Sequence, residues 1–237
     1  MKATILVLLL SITQVQLAQE LTPKVLLEKA VAFHDPEGRW PTFSGNFSVV
    51  MTTPNQNPRT STIKIDLPQE FFKVTATRDE ITTEYILNKQ TCEIKYNNQI
   101  LSEEEAKEKN MSCERGKFMK NYYTYLYGLP MKLNDPGTLI YPKVERRSFK
   151  GKEYVVLRAS YDNDVGSDVW YFYFDPTTYA MEVYQFFRTD DEGQEQPDTG
   201  EYILLTEESI INGIKMPKVR AWYYNKNDEY LGTDALY

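Results

Sequence analysis

Residues 168–187, DVWYFYFDPTTYAMEVYQFF, constrain the fold more tightly than any other part of the chain. Six consecutive aromatic or β-branched residues, 169–174, require an extended strand. Asp175-Pro176-Thr177-Thr178 must then turn, because proline cannot continue a helix or donate to a central ladder. Residues 179–187 read as the returning strand. Side chains alternate across a strand, so Trp170, Phe172 and Phe174 share one face and Val169, Tyr171 and Tyr173 the other. Both faces are substantially apolar, whereas a sheet with one buried face shows cleaner polar alternation. The expectation is a curved antiparallel sheet with its concave face on apolar material and a tyrosine-rich convex face.

Shorter runs with the same period of two fill much of the remaining chain. Phe43, Phe47, Val49 and Met51 begin the series, followed by Ile63, Ile65 and Leu67, then Phe72, Val74 and Ala76. Ile81, Tyr85 and Leu87 continue it, then Cys92, Ile94 and Tyr96. Clusters of Pro, Asn, Asp and Gln separate these runs, the pattern of an antiparallel meander. Further strands are expected at 144–149, 154–161, 202–211, 215–224 and 230–233. Helices interrupt the pattern. Thr22 caps the first, Pro23 opens it, Leu21 can staple onto Leu26, and His34-Asp35-Pro36 ends it. Ser102-Glu103-Glu104-Glu105 starts a short charged helix as a capping box. Residues 114–127 form another, with Phe118, Met119, Tyr122, Tyr123 and Leu126 on one side and Gly128 and Pro130 closing it. The fold class is mainly β (α+β): an unclosed half-barrel of about eleven strands, with two or three helices covering its concave face. No Pro-, Gly- or Ser-rich linker and no internal repeat divides the chain, so residues 19–237 read as one domain.

The first 18 residues read as a signal peptide, with Lys2 before an apolar run over residues 5–10 and Ala18 as a plausible cleavage position. That run is well short of the ~20 residues a spanning helix needs, so the mature chain is expected in the periplasm or outside the cell, with no transmembrane segment. A formal charge of −7 argues against nucleic acid as a partner, since phosphate binding needs a basic face. The two cysteines, Cys92 and Cys113, favour a disulfide in an exported chain. Two free buried thiols are the alternative, and with one histidine in the chain they make a poor zinc set.

No residue set proclaims catalysis. There is no Gly-x-Ser-x-Gly elbow, phosphate-cradling loop or dinucleotide fingerprint. His34 closes the first helix, where it can interact with the helix dipole, and no nucleophile motif accompanies it. Asp162, Asp164 and Asp168 alternate around Gly166 in loose imitation of a calcium loop, but no bidentate glutamate closes it, and a polar hairpin turn explains the same residues. No cofactor is implied.

The run from Val169-Trp170 through Phe174-Asp175-Pro176-Thr177, with Asp191-Glu192-Gly193 and then residues 211–217 (INGIKMP), resembles the carboxy-terminal half of periplasmic lipoprotein carriers of the LolA and LppX type. That resemblance implies an unclosed antiparallel barrel with helices plugging its mouth and acyl chains held between. The carriers' lid-latching arginine on the first strand has no counterpart in residues 42–53. A second resemblance covers nearly the whole mature chain. It rests on His34-Asp35-Pro36 with Trp40, on residues 121–130 (NYYTYLYGLP), on the central aromatic strand and on Leu231-Gly232-Thr233-Asp234. It is to an uncharacterised family of exported bacterial proteins. The leading functional reading is a carrier or binding protein for a hydrophobic ligand such as an acyl chain or lipoprotein. An envelope protein is a further candidate partner. The ligand cavity would be lined by Phe47, Val49, Ile65, Val74, Leu157 and Phe172 from the sheet, with Phe118 and Tyr122 from the helix. The other reading is a glycan-handling enzyme or binding protein using exposed tyrosines with Asp162, Asp164 and Asp168.

Overall fold

The computed structural model describes residues 21–162 and 166–237; the expected signal peptide and Asp164 lie outside the described residues. The helices are α1 (Pro23–His34), α2 (Glu103–Glu108) and α3 (Cys113–Gly128). Before α2 run β1 (Ser44–Thr53), β2 (Gln56–Asp66), β3 (Phe71–Arg78), β4 (Ile81–Asn88), β5 (Thr91–Tyr96) and β6 (Gln99–Ile100). After α3 come β7 (Thr138–Ile140), β8 (Glu145–Phe149), β9 (Lys152–Tyr161), β10 (Val169–Phe174) and β11 (Met181–Phe187). The chain finishes with β12 (Glu201–Ile211), β13 (Ile214–Tyr224) and β14 (Tyr230–Leu236).

All fourteen strands join one sheet in the order β6-β5-β4-β3-β2-β1-β14-β13-β12-β11-β10-β9-β7, with β8 also on β9. Every pairing is antiparallel. The first and last strands lie side by side, so the two meanders meet in the middle of the sheet. Its ends, β6 and β7, are not paired with each other, and the barrel stays open. The strands beyond the expected set are β6 and β7, of two and three residues, too short to display alternation.

Local chemistry sets the helix boundaries. Thr22 Oγ1 accepts from the Val25 amide. Ser102 and Glu105 exchange both bonds of a capping box, and Ser112 Oγ accepts from the Arg115 amide to start α3. At its other end α3 packs tightly: a Cβ on Gly128 would overlap the Trp40 indole.

The main core lies between the sheet's inner, concave face and helices α1 and α3. Phe47, Ile63, Phe72, Leu157, Phe172 and Ile203 are buried there, against Leu26, Ala30, Met119, Tyr123 and Leu126. A second, smaller core lies on the outer face, where Tyr154, Val156, Tyr171, Tyr173 and Val183 are buried together. This corrects the expectation of exposed tyrosines. Strand β8 folds over that face, bringing Phe149 against Tyr173 and the Arg147 guanidinium 3.9 Å above the Tyr171 ring. The Tyr171 hydroxyl donates to Glu195 at 2.8 Å, and the Tyr173 hydroxyl to Gln185 at 2.6 Å. With Tyr171 only 3% and Tyr173 only 2% exposed, no stacking platform for sugars exists there.

Cys92 and Cys113 form a disulfide that ties β5 to the first residue of α3. His34 is structural, for a reason the sequence did not disclose. It is 3% exposed, its Nδ1 donates to the Lys215 carbonyl of β13 at 2.8 Å, and its Nε2 accepts from the Met181 amide of β11 at 3.0 Å. Burial pulls its pKa down to about 4, so at neutral pH it serves as a neutral bridge and not as a cation on the helix dipole.

Two predictions follow from these ties. The disulfide closes a separation of 21 residues, so reducing it is expected to lower stability by roughly 3 kcal/mol in the chain-entropy account, measurable as a lower urea midpoint under a phosphine reductant. In the unfolded chain His34 takes a proton as pH falls through 6.5, but in the folded chain not until about 4. Unfolding therefore binds a proton across that window, and stability falls with pH by about 3 kcal/mol from this group. Above pH 6.5 the contribution is flat. A His34→Gln variant, which keeps a donor and an acceptor but cannot titrate, should lose less stability than the wild type between pH 7 and pH 4.5 in urea titrations.

Candidate functional site

The candidate site is the inner face beneath α3. Six of the expected lining residues, Phe47, Val49, Ile65, Val74, Leu157 and Phe172, lie on this face and are buried. Tyr122 is half-buried at the margin of α3. Phe118 is not part of the lining: it is 52% exposed, stacked on Tyr122 with the Arg115 guanidinium 4.8 Å from its ring. The stripe of α3 that faces the sheet is Gly116, Met119, Tyr123, Leu126 and Tyr127, with the spacing of three and four that one helix face demands. Phe118 stands one residue off that stripe.

At the middle of this apolar face stands a polar centre that the sequence reading passed over. Leu205, Arg220, Asp234, Met51 and Arg59 are successive cross-strand partners, so one row runs over β12, β13, β14, β1 and β2. The adjacent row is Phe172, Tyr184, Ile203, Trp222 and Gly232. Arg220 is 1% exposed and Asp234 8% exposed. A residue of each charge at a position where strand alternation calls for an apolar side chain was the available signal, and residues 231–234 had already stood out as a motif.

Arg220 connects the sheet to α3. Its Nη2 donates to the Leu126 carbonyl at 3.3 Å, its Nη1 to the Pro217 carbonyl at 3.0 Å, and its guanidinium lies 3.9 Å from the centre of the Tyr127 ring. Leu126 is among the last carbonyls of α3, which lack partners within the helix, so the arginine completes the helix end and sits where a cation meets the negative pole of its dipole. Tyr127 in turn packs on Phe47 at 4.6 Å between centroids, and Tyr184 meets Trp222 edge-on at 6.1 Å.

Donors outnumber acceptors in this centre. Arg220 Nε, Arg59 Nε, Trp222 Nε1, Tyr184 OH and Ser61 Oγ are buried without a hydrogen-bond partner. Burial raises the Asp234 pKa, while Arg220 and Arg59 pull it the other way. Burial also pushes the hydroxyls of Tyr122, Tyr123, Tyr127 and Tyr184 above their usual range, so they remain protonated and act as hydrogen-bonding groups, not as bases.

Two surface clefts flank α1. One, of about 410 Å³, is bounded by His34, Met181, Leu205 and Pro217 with Glu182 and Glu207. The other, of about 360 Å³, runs along Leu27, Val31 and Pro36. The remaining candidates lie elsewhere. Asp162 is exposed, and Asp168 is half-buried with its pKa raised by burial. Among the described residues no group of three His, Cys, Asp or Glu side chains is placed to hold a metal, and no helix is long and apolar enough to cross a membrane.

Replacing Arg220 by methionine keeps volume but removes both bonds to carbonyls and the contact with Tyr127. The expected loss of stability is about 3 kcal/mol, with faster amide exchange confined to the last turns of α3. Uniform loss of protection across the sheet would show instead that the arginine supports the whole core.

Comparison with known proteins places the fold. A LolA superfamily protein from Nitrosomonas europaea superposes with a TM-score of 0.51 and 11% identity, over 91% of each chain. A DUF1329 family protein from Desulfovibrio piger superposes at 0.46 with 8% identity, over 90% of each chain. No curated protein sequence matches. The unclosed antiparallel sheet with helices over its hollow is LolA-like. A family model matches residues 2–237, and the chain belongs to that family, DUF6503, a family of unknown function.

Proposed function

We propose that the chain is an exported carrier for a hydrophobic ligand, received between the inner face of the sheet and the helices that cover it. The observation that supports this most is how the covers are attached. Helices α1 and α3 lie on a broad apolar face, and each is pinned at its C-terminal end by polar bonds to β13, through His34 to Lys215 and through Arg220 to Leu126. Releasing a few bonds, and not dismantling the sheet, would expose Phe47, Val49, Ile65, Val74, Leu157 and Phe172 to an acyl chain. The LolA-like fold and the disulfide accord with this reading.

In the closed form these six side chains pack against the protein's own helices, so a ligand must replace helix contacts. Each methylene buried contributes ~0.8 kcal/mol, and a chain of ten or more carbons can compensate for one displaced helix face. The cleft bounded by His34 supports this reading, since Leu205 and Met181 line it and belong to the core.

Native mass spectrometry of protein purified from a Gram-negative periplasm is expected to show co-purifying lipid. A neutral dansyl-labelled acyl ester is expected to bind at micromolar concentration with a blue-shifted emission. Protein that is ligand-free and leaves the probe's emission unchanged would overturn the carrier reading.

A further inference from the structure

We infer that the Arg59–Arg220–Trp222 centre receives the anionic end of the carried molecule, a carboxylate or a phosphate, so that the ligand is an acidic amphiphile and not a neutral lipid. This rests on the carrier reading and names the class of its ligand. Two guanidiniums share the inner-face row with one carboxylate, Asp234: Arg220 is its direct cross-strand partner, and Arg59 lies one strand further on, beyond Met51. Arg220 and Tyr184 are 1% and 0% exposed, and both keep an unpartnered polar atom, as do buried Ser61 and half-buried Arg59 and Trp222. Four of these five orphaned atoms belong to groups that can only donate or that donate readily: two guanidinium N–H, one indole N–H and one phenol. Buried donors are rarely left unpaired, because each costs on the order of a lost hydrogen bond. An oxyanion offers several lone pairs to such a set and takes charge-assisted bonds from arginine.

The geometry also places this end next to the cover. Arg220 Nη2 spends its bond on the Leu126 carbonyl at 3.3 Å, a long contact to a neutral acceptor. A ligand oxyanion is the stronger acceptor for the same N–H and would compete for it, exchanging the bond that holds α3 for one that holds the ligand. Asp234, opposite Arg220, keeps one positive charge balanced and leaves the other for the ligand. Arg59, half-buried at the β2 end of the row, is the group best placed to meet an anion first.

The test compares dansyl-undecanoic acid with its methyl ester, and with inorganic phosphate, on the full chain at 0.15 M salt, a concentration at which surface charge is screened within roughly 8 Å. Wild type is expected to bind the acid about tenfold more tightly than the ester. Arg59→Gln and Trp222→Phe, both less disruptive than a change at buried Arg220, should narrow that ratio to about twofold or less. Equal binding of acid and ester by wild type, or an undiminished ratio in both variants, overturns the inference and leaves the carrier reading standing. Binding of phosphate that Arg59→Gln abolishes, with neither amphiphile bound, upholds the anion site and removes the carrier reading. Binding of none of the three overturns both.

Discussion

Strand β13 is the element on which the arrangement of the other parts depends. Its Lys215 carbonyl receives the end of α1 through His34, and its Arg220 receives the end of α3 through the Leu126 carbonyl. It also pairs along its length with β12 and, through β14, brings the N-terminal and C-terminal meanders together. Helix propensity does little to hold α1 and α3 where they are. Both take their position from an apolar face and a few polar contacts at the C-terminal end. The second tie on α3 is covalent, from Cys113 back to β5, so the helix is held at its two ends by bonds of very different kinds.

The polar centre under α3 is an energetic oddity in an otherwise apolar interior. Charged groups out of water are costly unless matched, and an arginine that leaves Nε unbonded is only partly matched. The surrounding rings moderate that cost: Tyr127 faces the guanidinium of Arg220, an attraction of about 2 kcal/mol when desolvated. What remains is a set of donors held on strands β2, β11 and β13 of one sheet, a rigid placement that loops could not give.

The architecture was readable from the chain because its signals are repetitive. The hairpin of β10 and β11, the caps at Thr22 and Ser102, and the Cys92–Cys113 bond all follow from residue type and spacing. The polar centre was not readable in the same way. Arg220 and Asp234 are 14 residues apart in sequence, and only the register of β13 on β14 makes them opposite. Phe118 was misplaced for a related reason: an aromatic stripe on α3 is wider than the face the sheet can cover, and which side turns inward is decided by Gly116 and Gly128 packing closely on Tyr85 and Trp40. The outer tyrosines looked exposed because β8 and the stretch that carries Glu195 are too polar to announce themselves as a lid over an apolar surface.

That outer cover divides the sheet mechanically. Over β9, β10, β11 and the start of β12 both surfaces carry buried side chains, so any bend there would pull apart one packed layer or the other. From β1 to β5 the outer surface is a lattice of hydroxyls and ions, with Ser48 beside Thr62, Thr77 beside Thr82, and Glu84 between Lys73 and Lys95. Such contacts re-form in water at little cost when strands splay. One half is therefore the stiffer frame and the other the more compliant, and α3 spans them, tied through sulfur to β5 on one side and through Arg220 to β13 on the other.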